Sequence, residues 1–119
     1  MYASIRRYKV RRGAEAEILQ RANECFVPII SEVSGFVAYY IVDAGNGVLA
    51  TISIFQDQAG LEESNAIAAE WVEEHLASLV PNPPTITAGE VKVHKAARPV
   101  RRSRQRISAV RKKRQEESG

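Results

Sequence analysis

The sequence predicts an α+β fold in the order β-α-β-β-α-β, an antiparallel four-stranded sheet with two helices on one face. Three observations predict it. The apolar spacing switches between a period of two and a period near 3.6, in that order along the chain. The segment Asp43-Ala44-Gly45-Asn46-Gly47 is a strong turn between two apolar stretches, so the middle strands form a hairpin. The length of 119 residues fits one domain with its own core.

Residues 2–10 alternate. Tyr2, Ser4, Arg6 and Tyr8 share one face; Ala3, Ile5, Arg7 and Lys9 share the other. Arg12-Gly13 ends this strand. From residue 14 the period becomes helical. Ile18, Ala22, Cys25, Phe26, Ile29, Ile30 and Val33 form the apolar stripe, and Glu15, Glu17, Arg21, Glu24 and Glu32 cover much of the remaining surface. Pro28 lacks a donor N–H and crowds the preceding turn, so a kink is expected there. Gly35 is placed to stop the helix with a left-handed residue. Residues 36–43 and 48–56 form the hairpin. Asp57 is the expected cap of the second helix. Its stripe is Leu61, Ala68, Val72, Leu76 and Leu79, with Glu62, Glu63, Glu70, Glu73 and Glu74 opposite. The run Pro81-Asn82-Pro83-Pro84 is expected to end it. Residues 85–95 form the last strand, with Val91 and Val93 on one face and Glu90, Lys92 and His94 on the other. This is the split β-α-β, or ferredoxin-like, topology.

The sheet has a second face that two helices cannot cover. In the hairpin, Phe36, Ala38, Tyr40 and Val42 oppose Val37, Tyr39 and Ile41. In the third strand, Val48, Ala50, Ile52 and Ile54 oppose Leu49, Thr51, Ser53 and Phe55. Either set is largely apolar, enough to drive association. A symmetric homodimer, sheet against sheet, is expected.

Composition narrows the function classes. The chain is 45% hydrophobic and 26% charged, the balance of a globular protein. No run approaches the length of a membrane helix. The start, MYASIRRYKV, alternates and is charged, unlike a signal peptide. A single cysteine, Cys25, excludes an intrachain disulfide and argues against structural zinc. A cytoplasmic location is the default expectation. The net charge of +3 is split: residues 1–97 carry 8 Lys/Arg and 12 Asp/Glu, whereas residues 98–119 carry 9 and 2. The sequence therefore divides into a body, 1–97, and a basic tail, 98–119. The tail has too few large apolar residues to form a core and is expected to be disordered or loosely helical. Its clustered arginines suit nucleic acid or an acidic partner, although no aromatic residues are interleaved for base stacking.

The stretch AEWVEEHL places Trp71, the one tryptophan, and His75 on the same side of the second helix. Two readings stand for each. Trp71 is a core residue or a pocket wall. His75 is a core-edge residue or a proton-transfer group. Ser64 and Asn65 lie at the two margins of the same apolar face. His94 reads as solvent-facing, and neither histidine has a partner at metal-ligand spacing. Cys25, on the apolar stripe, reads as a buried and inert thiol. Arg6, Arg7, Lys9, Arg11 and Arg12 read as a solvated strand edge or as the seat of an anion at the rim. No phosphate loop, nucleophile elbow or cofactor motif is present.

Several of these features together resemble the dimeric α/β-barrel proteins, and within them the antibiotic-biosynthesis-monooxygenase-like group. They are the element order, Ser34-Gly35-Phe36 after the first helix, Phe55 closing the third strand, and Ser64-Asn65…Ala69-Glu70-Trp71 on the second helix. The resemblance covers roughly residues 2–95. It implies a dimer, and a pocket between sheet and helices lined by the second helix. Ser64, Asn65, Trp71 and His75 are then the ligand-binding candidates, with His75, Asn65 and Trp71 the catalytic ones. Haem-degrading members use an asparagine on strand one with a tryptophan and a histidine. Here strand one offers Ser4, Arg6 and Tyr8 instead, which argues against that activity. Quinone and polyketide oxygenases of the group use asparagine, tryptophan and tyrosine, roles open to Asn65, Trp71 and Tyr8 or Tyr40. The resemblance implies no cofactor, so any oxygenation would draw its electrons from the substrate. The expected function is binding of an apolar or aromatic small molecule by a cofactor-independent monooxygenase-like protein. The alternative is a non-catalytic dimeric module acting through its basic tail.

Overall fold

Strict alternation decides β1 (Tyr2–Lys9), where Ser4, Arg6 and Tyr8 are buried and Ile5, Arg7 and Lys9 are exposed. In the computed structural model, which describes residues 1–97, β1 is followed by α1 (Glu15–Arg21), a π-helical turn (Ala22–Phe26), α2 (Val27–Ile30), β2 (Phe36–Gly45), β3 (Val48–Phe55), α3 (Gln58–His75) and β4 (Thr85–Glu90). The four antiparallel strands lie in the order β2-β3-β1-β4. This is the predicted ferredoxin-like topology. The basic tail at 98–119 lies outside the described residues.

The kink expected at Pro28 takes a specific form. The Val27 N–H donates to the Ala22 carbonyl, five residues back, so one wide turn is inserted immediately before the proline. The wide turn accommodates the ring that an unbroken α-helix would force against its own backbone. It also shifts the stripe. Ile18, Ala22, Phe26, Ile30 and Val33 are buried, but Cys25 and Ile29 are exposed. Both had been expected on the apolar face; the extra residue in the turn rotates them outward. Gly35 was expected to stop the helix; the helix instead ends at Ile30, and Gly35, at φ +86°, makes the turn into β2.

The hairpin closes through Asn46 and Gly47, both at positive φ, which matches the right-handed twist of the flanking strands. β2 has a register shift between Phe36 and Ala38. Phe36 therefore joins Tyr39 and Ile41 against the core, and not Ala38, Tyr40 and Val42 as simple alternation predicts. In β3 the inward set is Leu49, Thr51, Ser53 and Phe55.

Asp57 caps α3, its Oδ1 accepting from the Gly60 N–H at 2.8 Å. Gly60 lets the helix approach the sheet closely: a Cβ there would lie 2.6 Å from the Ser34 carbonyl oxygen. α3 ends at His75, earlier than the proline run. The chain then curls back, with the Val80 N–H donating to the Leu76 carbonyl at 2.9 Å, and both side chains stay buried. β4 is also shorter than predicted. It ends at Glu90, and Val93, expected on a strand face, is 89% exposed.

Phe55, Ile30, Leu49, Phe26 and Leu61 form the core between sheet and helices, with Trp71 at its edge. On the open face, Ile5, Tyr40 and Val42 are exposed, and Ile52 and Ile54 are only half-buried. No described helix is long and apolar enough to cross a membrane.

Candidate functional site

The inward residues of three strands and one face of each helix enclose a small cavity. Arg6 and Tyr8 come from β1, Tyr39 and Ile41 from β2, and Leu49, Thr51 and Ser53 from β3. Ile18, Ala22 and Phe26 close it on one side; Ala68, Trp71 and Val72 of α3, followed by Leu76 and Val80, close it on the other. The enclosed volume is about 40 Å³. That is room for one to three waters, whereas benzene needs roughly 150 Å³. A ligand of aromatic size therefore enters only if a wall moves or if the ligand also occupies neighbouring space.

Such space adjoins the cavity on both sides of α3. One groove, of about 410 Å³, runs between Ala69, Glu73 and Ala77 and the Pro81-Asn82-Pro83-Pro84 run. It shares Arg6, Tyr8, Val72 and Val80 with the cavity. A second groove, of about 510 Å³, lies along the other flank, with Cys25, Ile29, Ile67 and His75 among its walls. Trp71 separates it from the cavity.

Aromatic packing fixes the middle of the site. Phe26 stands 5.3 Å from Trp71 and 5.6 Å from Tyr39, centroid to centroid, both tilted or edge-on. Burial, with the Tyr8 phenol beside it, pushes the Tyr39 phenol well above the usual tyrosine range; the Thr51 hydroxyl and the Arg6 charge pull the other way without prevailing. Tyr39 thus stays a neutral donor.

Arg6 is the unusual group. It is 3% exposed, and a guanidinium is always charged. Its Nε donates to the Tyr8 hydroxyl oxygen at 2.9 Å. Its Nη1 donates to Asn65 Oδ1 at 3.1 Å and to the Asn65 carbonyl at 3.5 Å. All three acceptors are neutral. Among the described residues no carboxylate pairs with it. A buried, unpaired charge carries a desolvation penalty of several kcal/mol, which neutral acceptors offset only in part. Nearby, Ser4 Oγ is buried with no partner.

The four residues singled out on the second helix are distributed unequally. Trp71 is largely buried and walls the cavity. Asn65 is half-buried and reaches the site through Arg6. Ser64 is fully buried, but its hydroxyl donates to the Leu61 carbonyl at 2.7 Å, within its own helix. His75 lies outside the cavity, its side chain 53% exposed and its ring 5.2 Å from Trp71. Sequence reasoning missed Arg6, Thr51 and Ser53 as cavity residues. Their shared-face spacing with Tyr8 and Phe55 was the available signal. Among the described residues no group of three or more His, Cys, Asp or Glu side chains is arranged to hold a metal.

Comparison with solved structures places this architecture. A protein of unknown function from Nitrosomonas europaea is 24% identical, with a TM-score of 0.68 over 82% of this chain and 95% of that one. A monooxygenase of Streptomyces coelicolor, in complex with the ligand nanaomycin D, is 14% identical, with a TM-score of 0.64 over 82% and 92%. An antibiotic biosynthesis monooxygenase is 18% identical, with a TM-score of 0.62 over 78% and 100%. The chain has the antibiotic-biosynthesis-monooxygenase-like fold. No protein-family model and no curated protein sequence matches it. The monooxygenase-like fold agrees with the resemblance drawn from Ser34-Gly35-Phe36, Phe55 and the Ser64–Trp71 segment.

Proposed function

We propose that this protein is a small homodimeric binder of an apolar or aromatic molecule, held between sheet and helices against Trp71, with cofactor-independent oxygenation as its activity. The observation that carries this is the cavity walled by Phe26, Tyr39 and Trp71, which shares Arg6, Tyr8, Val72 and Val80 with a surface groove. Its walls are mainly apolar with a few polar groups, the composition of small-molecule sites. Trp71 forms the ligand platform, and Asn65 with Arg6 the polar end. His75, its ring tilted against Trp71, bears on the site only through that ring. Any oxygenation draws its electrons from the substrate.

The fold's open face supports the dimer. Ile5, Tyr40 and Val42 project from it side by side with Ile52 and Ile54, an apolar surface that a second copy would cover.

Trp71 is the natural probe, being the one tryptophan of the chain. Titration with a panel of small aromatic molecules is expected to change its fluorescence saturably. Trp71→Phe should remain folded by circular dichroism and lose affinity by calorimetry. Failure of every such molecule to bind would reject the pocket. The charge split of the sequence favours a second reading, in which the tail at 98–119 binds nucleic acid or an acidic partner. Deleting 98–119 separates the two, because the pocket reading requires unchanged ligand affinity.

A further inference from the structure

The polar end of the cavity is built for a charge that the protein does not itself supply. Arg6 is buried among Tyr8, Asn65 and apolar walls, and its Nε and Nη1 are committed to neutral oxygens. Its Nη2 has no acceptor among the described residues. The Tyr8 hydroxyl accepts from Arg6 and donates to no described residue. Both donors belong to residues that line the cavity and the groove alike, together with Val72 and Val80. Glu73 lies on the same groove but makes no ion pair with Arg6. Asn65 on α3 holds the guanidinium through Nη1, leaving Nη2 on the side of the cavity and groove that Arg6 lines.

We infer that the site takes an aromatic carboxylate, its carboxylate received by Arg6 Nη2 and the Tyr8 hydroxyl and its ring directed toward Trp71. The inference rests on the pocket reading and narrows it from an apolar ligand to an organic anion. A carboxylate neutralises the guanidinium and accepts both donors, which no neutral aromatic does. Its polar head lies at the groove mouth, so the inner cavity need admit only part of the ring. Asn65 acts as a positioning residue, fixing the guanidinium in place.

The test is calorimetric titration of the full chain with 2-naphthoate and with its neutral isostere 2-naphthamide. The acid is expected to bind at least about tenfold tighter, the scale of a hydrogen bond to a charged group. Arg6→Met should lower the affinity for both, and the acid far more, so that the acid-over-amide ratio falls to about one. Equal affinity of acid and amide for the native protein, or a preference that survives in Arg6→Met, overturns the inference while the pocket stands. Absence of binding by both rejects the pocket reading, and this inference with it. The preference must also persist at high salt, since a buried pair is poorly screened; its disappearance would place the anion on the basic surface. Should Arg6→Met fail to fold, Tyr8→Phe decides: a several-fold fall in the acid-over-amide ratio supports the inference, and an unchanged ratio overturns it.

Discussion

Gly60 shows how one missing side chain positions a helix. Alanine is better than glycine by about 1 kcal/mol in a helix interior, so local propensity alone predicts that Gly60→Ala stabilises. The added Cβ would lie 2.6 Å from a backbone oxygen and 3.0 Å from the Phe55 ring. Overpacking of that kind costs about 1–3 kcal/mol, and we expect a net loss of stability in urea unfolding. Tyr39 gives a pH dependence. Its folded-state phenol holds its proton above the usual range, whereas the unfolded phenol ionises near about pH 10. Above that pH the unfolded chain binds fewer protons than the native one, so stability falls as pH rises. Tyr39→Phe should flatten the fall in thermal midpoint between neutral and strongly alkaline pH. Arg6 was legible only in part. Alternation put it on one face with Ser4 and Tyr8, but β1 carries polar and apolar residues on both faces. Nothing local said which face was inner, because β3 offers an apolar set on either face.

The elements were legible in kind and less so in extent. All four strands and both helical regions stand where periodicity put them. The errors share a physical cause: a local rule yields to a single inserted residue or to tertiary contact. The wide turn before Pro28 rotates Cys25 off the stripe, and the β2 irregularity moves Phe36 to the core face. α3 stops at His75 because Leu76 and Val80 gain burial by curling back, well before any proline forbids helix. The exposed Cys25 is checkable directly. It should react with a thiol-specific reagent in the native protein at a rate close to that of an unfolded chain. A buried thiol would wait for unfolding.

At the scale of the molecule, the sheet has one face occupied and one waiting. The covered face takes the core and the cavity; the open face carries Ile5, Tyr40 and Val42. Tyr40 is 54% exposed on that surface, on the edge strand β2, so a charge there should oppose association without disturbing the core. Tyr40→Glu is expected to halve the mass seen by sedimentation equilibrium and to leave the far-ultraviolet spectrum unchanged. A native monomer in the same experiment would reject the dimer. The likeness to monooxygenase-like structures fixes the architecture and leaves the chemistry to the side chains. In this chain an arginine and a tyrosine of β1, Arg6 and Tyr8, line the site.

The wide turn at Ala22–Phe26 also couples the proline to the aromatic wall. Removing one residue from it would turn the two sides of the helix by about 100° relative to each other about the axis. It would also carry Pro28 into an unbroken α-helix, against its own backbone. Phe26 and Trp71, now 5.3 Å apart, would lose their register. The site thus hangs on chain length as much as on side chains: a single-residue deletion within 22–26 is expected to dismantle the wall while leaving every wall residue in the sequence.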